Sequence, residues 1–237
     1  MTDSNKPPST PRNDIYGNID ARSESEEGVQ APIPAATVVL LRDGHDGAEV
    51  LMLKKNATIT FGGMWVFPGG KIDAKDYPAG EVDESALEQA ANNAAVRETH
   101  EEAGIDVGTD NFVWFSHWTP PPGAPKRFAT WFFAAHVKDQ HDIQIDDGEI
   151  KDHAWIKPAD ALSKHAAGEL DLVPPTWITL HALSLYHTPE LIVERLQERS
   201  PKIYSTRVVK AGDGNRVALW HGDAGYEHWD ASVSGDF

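Results

Sequence analysis

The chain has 237 residues, no cysteine and a formal charge of −16. That length buries a full core in one domain with residues left over for appendages. Without cysteine there are no disulfides, thiolate zinc sites or thiol nucleophiles, which fits a reducing, cytoplasmic setting, and the acidic surplus excludes a nucleic-acid polymer as main partner, because phosphate backbones are held by clustered Lys and Arg. Small anionic ligands stay open, since metal ions and a few local cations reverse the field within a cleft. No stretch is long and apolar enough to span a bilayer, and the N-terminus lacks the basic-then-apolar layout of a signal peptide.

Residues 1–33 are rich in Ser, Pro, Asn and acids and read as a disordered tail. From Pro34 the composition changes. Ala35 to Arg42 reads as a strand, Asp43 to Gly47 as a turn and Glu49 to Lys54 as the returning strand of a hairpin. Met64 to Phe67 is a short strand that delivers the turn Pro68-Gly69-Gly70, where glycines let a backbone approach a ligand closely. Asp73 to Asp83 is a polar insertion, and the next helix begins near Asp83 or Ser85, either of which can cap it. Its body carries Ala86, Ala90, Ala91, Ala94 and Ala95, small enough for close packing on a sheet.

That helix ends in the densest chemistry of the chain, Arg97-Glu98-Thr99-His100-Glu101-Glu102-Ala103-Gly104-Ile105. At about 100° per residue, Glu98, Glu101 and Glu102 fall within an arc of roughly 100°, so three carboxylates crowd one face. Like charges at this spacing cost an isolated helix roughly 0.2–0.5 kcal/mol each and raise one another's pKa, and a bound divalent cation supplies the reason to cluster them. Hard oxygen ligands suit Mg²⁺ or Mn²⁺. Arg97 stands four residues before Glu101 and can steer that carboxylate, while Gly104 fits the left-handed residue that ends a helix. The plain alternative, a solvated acidic face, explains the glutamates alone but not their company.

Two strands follow, Phe112 to Thr119 and Arg127 to Val137, joined by a loop that Pro120-Pro121-Pro122-Gly123 forces. Lys126 and Arg127 at its end are candidates for contacting phosphate or a negatively charged ligand, with Trp118 nearby as a stacking surface. Asp146-Asp147-Gly148-Glu149 precedes a strand from Ile150 to Ile156. Helices are expected over Pro158 to Ala167, closed by Gly168, then Trp177 to His187 and Pro189 to Glu198. A hairpin of Ile203 to Lys210 and Arg216 to Trp220, turning at Asp213-Gly214, closes the chain. The eleven histidines are scattered with no HExxH pairing, and neither a serine nucleophile elbow nor a P-loop is present.

Arg97, Glu98, Glu101, Glu102, Gly104 and Ile105 resemble the second half of the Nudix hydrolase signature, G-x5-E-x7-R-E-U-x-E-E-x-G-U with U a bulky aliphatic. Thr99 replaces one aliphatic, the glycines lie further upstream than a continuous motif puts them, and Gln89 stands at the intervening glutamate position. The resemblance implies an α+β fold, a Nudix-type α/β/α sandwich with a mixed β-sheet between helices, over residues 34–175, with helices and a hairpin in 176–237 packed on it. It implies a hydrolase of phosphorus-containing acid anhydrides, with Glu98, Glu101, Glu102 and the Gly69 carbonyl holding Mg²⁺ or Mn²⁺. Arg97 would support the ligands, and Glu98 or Glu149, which stands before a strand carrying Trp155, would take the proton. Gly69 and Gly70 would approach the substrate, a small nucleoside diphosphate derivative, and a homodimer stays open.

The segments VFPGGKID, PPPGAPKRFATWFF, AGELDLVPPTWITL and HGDAGYE are similar to the branch that contains peroxisomal-type coenzyme A diphosphatases. Leu51, Lys54, Gly63 and Phe67 fall on a signature of that branch, with Lys54 at an arginine position as a phosphate contact. Coenzyme A or an acyl-coenzyme A is therefore the first expectation for the substrate. ADP-ribose, NADH or a dinucleoside polyphosphate are the alternatives, and a non-catalytic ligand-binding module is the competing class.

Overall fold

The computed structural model describes residues 31–78, 83, 86–122, 124, 126–138, 142–212, 216–221, 223, 226, 227 and 232. Residues 1–30, Ser85 and the Asp213-Gly214 turn lie outside them.

Alternation of side chains along a strand gives each strand two faces, and in this chain both are covered. The long strand β1 (Ile33–Gly44) turns through His45 and Asp46 into β2 (Gly47–Lys55), and the two short strands β3 (Trp65–Val66) and β4 (Gly69–Lys71) follow. Helix α1 (Leu87–Ala103) leads to β5 (Val113–Thr119), β6 (Phe128–His136) and β7 (Ile150–Ile156). Then come α2 (Pro158–Ala167), α3 (Pro174–Leu183), α4 (Pro189–Gln197), β8 (Lys202–Ser205), β9 (Arg207–Lys210) and β10 (Arg216–Leu219).

The strands assemble in the order β3-β2-β1-β6-β5-β8, with β4 also on β1 and β7 also on β2. The β1–β6 and β5–β8 pairs are parallel and the others antiparallel, so the sheet is mixed. On one face Ala36, Val38, Leu40, Leu51 and Leu53 meet Ala91, Ala94 and Ala95 of α1. On the other, Val39, Leu41, Val50, Met52 and Phe132 meet Ala161 of α2, Leu180 and Leu183 of α3 and Ile192 of α4. Burial on both faces is why β1 reads as an almost unbroken apolar run.

β1 divides along one edge, pairing with β2 from Leu41 to Gly44 and with β4 from Ala35 to Thr37. Between β2 and β4 the sheet therefore opens directly beneath α1. Pro68-Gly69-Gly70, expected as a turn whose glycines approach a ligand, thus contributes Gly69 and Gly70 to a strand.

Several boundaries differ from expectation for local reasons. β1 begins at Ile33, one residue inside the expected tail, because Ile33 pairs with Phe128. The first residue of α1 is Leu87, and Ala86 stands at its cap position, with its N–H donating to the Asp83 carbonyl at 3.1 Å. α3 starts at Pro174 rather than Trp177, since prolines suit a first helical turn whose N–H groups have no partner in any case. The strand expected from Ile203 to Lys210 breaks at Thr206, its first half joining the main sheet beside β5 and its second pairing with β10. Trp118 is no stacking surface for a ligand: it is 4% exposed and stacks on Tyr204 at 3.7 Å with an interplanar angle of 7°. Among the described residues no helix is long and apolar enough to cross a membrane.

Candidate functional site

α1 lays its last two turns over the opening between β2 and β4. Glu102, 3% exposed, accepts a hydrogen bond at Oε1 from Lys55 Nζ (2.6 Å) and at Oε2 from the Gly69 backbone N–H (2.9 Å). The Glu98 carboxylate lies against Gly70 so closely that a β-carbon there would stand 2.4 Å from it. Gly69, at φ +156°, has the Ala36 carbonyl oxygen 2.4 Å from where a side chain would begin. Both glycines are thus required by close approach, Gly70 to a carboxylate and Gly69 to the neighbouring strand.

Arg97 ties the cluster together. Its Nε and Nη2 donate to Oδ1 (2.9 Å) and Oδ2 (2.8 Å) of Asp76, its Nη1 to Glu98 (2.7 Å) and Glu101 (3.0 Å), and Nη2 also to the Lys71 carbonyl (3.0 Å). Such a paired fork is the geometry that guanidinium and carboxylate favour. Asp76 sits in a one-turn 3₁₀ segment (Ala74–Asp76) and also accepts from the Asp73 N–H at 2.8 Å. Lys75 reaches Glu101 at 3.4 Å.

Glu149 approaches from the loop before β7. The Asp146 carboxylate shapes that loop by accepting from the N–H groups of Glu149 (2.9 Å) and Ile150 (2.8 Å). Asn56 holds it to the end of β2, donating its N–H to the Glu149 carbonyl (2.7 Å) and its amide to Gly148 (2.9 Å). Glu149 Oε2 comes to rest 3.5 Å from Lys55 Nζ.

The charges are perturbed as their settings require. Burial pushes Glu102 up to about 7, against the pull of Lys55, and burial likewise raises Glu98 despite the hydrogen bond from Arg97. For Asp76 burial works upward, but the hydrogen bonds from Arg97 and the Asp73 N–H outweigh it and hold the group below its usual value. Lys55 is raised: burial opposes its charge, and Glu102 more than compensates. Six carboxylates (Asp73, Asp76, Glu98, Glu101, Glu102 and Glu149) thus meet four cations (Lys55, Lys71, Lys75 and Arg97), a formal excess of two negative charges. Hard oxygen donors with that excess fit one divalent cation of the Mg²⁺ or Mn²⁺ kind.

Glu98, Glu101 and Glu102 share a face without their ligand atoms closing to within 4.8 Å of one another; among the described residues the set that does so is Asp43, His136 and Glu190. It lies toward the far end of β1, roughly 20 Å from Gly70 at the rise of an extended strand. Its two carboxylates stand on opposite nitrogens of the His136 ring, at 3.2 and 3.3 Å.

The fold therefore gathers Arg97, Glu98, Glu101, Glu102, Glu149, Gly69 and Gly70 in one place. It does not bring Lys54 there. Lys54 is cross-strand from Trp65 and shares the α3/α4 face with Val50 and Met52, whereas Lys55 shares the α1 face with Leu51 and Leu53. Arg127 is buried and donates from Nε to the Pro120 carbonyl at 3.2 Å, within its own loop. Lys126 is exposed at the tip and bonds Thr60 Oγ1 at 3.1 Å.

Three residues of the site, Lys55, Lys75 and Asp76, were not anticipated. Lys55 was one position from the expected lysine, and the parity of Leu51 and Leu53 pointed to it. Asp76 carried no local signal, because its partner is 21 residues away. Phe61, beside Thr60, holds φ 61° and is 36% exposed with its ring 6.1 Å from Phe128. A left-handed backbone at a bulky residue is costly and visible only in three dimensions.

Replacing Gly70 by Ala puts a methyl group into the Glu98 carboxylate, the mobile end of a side chain, so the protein is expected to fold with Glu98 displaced by about 1 Å. Displacements of that size cost roughly 10²-fold in turnover. Steady-state rates set beside a melting curve check it; parental turnover would show that Glu98 has no need of its present position.

Comparisons with known proteins agree with this geometry. The chain is 28% identical over 172 residues to "Putative nudix hydrolase 7" of Caenorhabditis elegans, a match covering 57% of this chain and 56% of that protein, so it spans little more than half of that relative's length. It is 29% identical over 130 residues to "CTP pyrophosphohydrolase" of Escherichia coli (strain K12), covering 55% of this chain and 79% of that one. In fold it is similar to the crystal structure of a NUDIX hydrolase from Alicyclobacillus acidocaldarius, with a TM-score of 0.60 and 24% identity over 69% of this chain and 96% of the other. Residues 31–175, which hold every carboxylate and glycine of the cluster, match the profile described as NUDIX domain, and the chain belongs to that family.

Proposed function

We propose that this protein is a metal-dependent hydrolase that splits the pyrophosphate bond of a nucleoside diphosphate linked to another moiety. The observation that carries the reading is the doubly negative excess gathered beneath α1 at the Gly69-Gly70 strand. Glu98, Glu101, Glu102 and the Gly69 carbonyl would hold Mg²⁺ or Mn²⁺, which when bound supplies charge neutralisation of the pyrophosphate and a more acidic water.

The remaining steps belong to the chain. Arg97 fixes Glu98 and Glu101 through its fork on Asp76, and Lys55 fixes Glu102. Glu149 or Glu98 accepts the proton of water as its oxygen bonds to phosphorus and the anhydride bond to the leaving phosphate breaks. Glu149 is the more accessible of the two, its side chain 64% exposed against 15% for Glu98. Lys126, bonded to Thr60 beside the exposed ring of Phe61, would supply a rim over which a nucleoside could lie. Removing the Lys126 charge by Lys126→Ala is expected to raise KM about threefold to tenfold with kcat unchanged, since a rim cation acts alike on ground and transition states. A fall in kcat instead would move Lys126 into the reaction itself.

Coenzyme A or an acyl-coenzyme A is the first substrate to try, on the branch segments of the sequence; ADP-ribose, NADH and dinucleoside polyphosphates are next. The pyrophosphohydrolase named among the relatives supports the bond class and not the choice among these. A module that only bound such a ligand would not need three motif glutamates. The test is to incubate the purified chain with each compound in Mg²⁺ or Mn²⁺ and to identify products by mass spectrometry. Two phosphorylated products that form only with metal are expected; no turnover of any pyrophosphate would overturn the reading.

A further inference from the structure

On the sheet face opposite the glutamates, a cavity of about 800 Å³ opens between β5, β8, α3 and the end of α4. Phe115, Ile178, Ala182 and Leu196 give it apolar walls. That volume lies within the range of pockets that hold small molecules.

Charge separates it from a packing defect. Two exposed cations, Arg199 and Lys202, also line it. Among the described residues neither meets a carboxylate; the Lys202 ammonium rests 4.8 Å over the Tyr204 ring. In a chain of net charge −16, two cations free of acidic partners beside an apolar cavity form a local reversal of the field.

The geometry points to a second binding site, distinct from the one beneath α1, for a small amphipathic anion: an aromatic or acyl body in the cavity and an acidic head on Arg199 and Lys202. A purely apolar ligand would leave both cations unused. A nucleotide would place its hydrated sugar and phosphates against Phe115, Ile178 and Leu196. The amphipathic acid satisfies both sets of groups, which is the reason to prefer it. The site is independent of the hydrolase reading, since no residue of the carboxylate cluster lines it.

Titrating the full chain with 8-anilinonaphthalene-1-sulfonate, followed by its fluorescence, tests this. One saturable site per chain is expected, emptied by decanoate and not by ADP. The double variant R199A/K202A, altered only at the surface, is expected to bind the sulfonate and decanoate about tenfold more weakly, while the uncharged N-phenyl-1-naphthylamine changes by less than about twofold. Ala182→Trp, which fills the cavity, is expected to lose both dyes with the circular dichroism spectrum unchanged. An R199A/K202A protein that binds the sulfonate as the parent does would overturn the proposal, even if the Trp variant misfolds. So would displacement of the dye by ADP, or sedimentation showing that the dye instead separates two copies of the chain.

Discussion

Glu102→Gln is expected to lower kcat/KM for the pyrophosphate substrate about 10³-fold while the protein stays folded. The amide keeps the shape of the carboxylate and can still accept the Gly69 N–H, so the strand beneath α1 holds its place. What disappears is a negative charge at the centre of the cluster. The site's excess of two falls to one, and a divalent ion is no longer balanced there. Glutamine has one acceptor oxygen, so its NH2 group faces the Lys55 ammonium that Glu102 accepts from at 2.6 Å, and Lys55 keeps only Glu149 at 3.5 Å; a loss of stability of about 1–3 kcal/mol is expected beside the larger effect on rate. Rates measured with Mg²⁺ and Mn²⁺, beside Mn²⁺ binding followed by paramagnetic resonance, check both halves. A variant that turns over at the parental rate would remove Glu102 from the mechanism, and with it the assignment of the site.

The largest effect on stability is expected at a residue that does no chemistry. Asp76→Ala removes a 4%-exposed carboxylate that takes two hydrogen bonds from Arg97 and one from the Asp73 N–H. Breaking a buried pair from one side leaves the other charge uncompensated, at a cost of about 3 kcal/mol. For a chain of this size that corresponds to a melting point roughly 10 °C lower. Activity should fall too, because Arg97 then has only Glu98, Glu101 and the Lys71 carbonyl to hold it. Asp76→Asn, which keeps an acceptor toward Asp73, is expected to recover part of the loss. Denaturant titration of Asp76→Ala, Arg97→Ala and the double variant gives the coupling directly; additive effects would mean that the fork contributes nothing.

The helical half of the site was legible because helical geometry is local. Arg97, Glu98, Glu101 and Glu102 are positioned by the turn of one helix, and Gly104 ends that helix in the left-handed conformation its sequence predicts, at φ 67°. The first hairpin was legible for the same reason, its apolar runs and glycine turn lying within a few residues of each other. What could not be read depends on contacts between distant segments. The insertion before α1 looked like filler and supplies Asp76. Lys54 and Lys55 are adjacent, and one step along a strand puts a side chain on the opposite face. Arg127 looked like a phosphate contact from its charge alone, yet its loop folds back and uses it. Trp118 looked available until Tyr204, far along the chain, stacked upon it.

The pairing of β8 with β5 has a consequence for how the molecule is made. Ser116 lies beside Lys202, so the outer margin of β5 is completed only by a segment that leaves the ribosome much later. At usual elongation speeds the interval is roughly 4–17 s. Throughout it a nascent chain presents a strand with free backbone donors and acceptors, the template on which neighbouring polypeptides add. The final strand of the sheet thus acts as a guard that arrives last, and the newborn protein is most open to aggregation just before it docks.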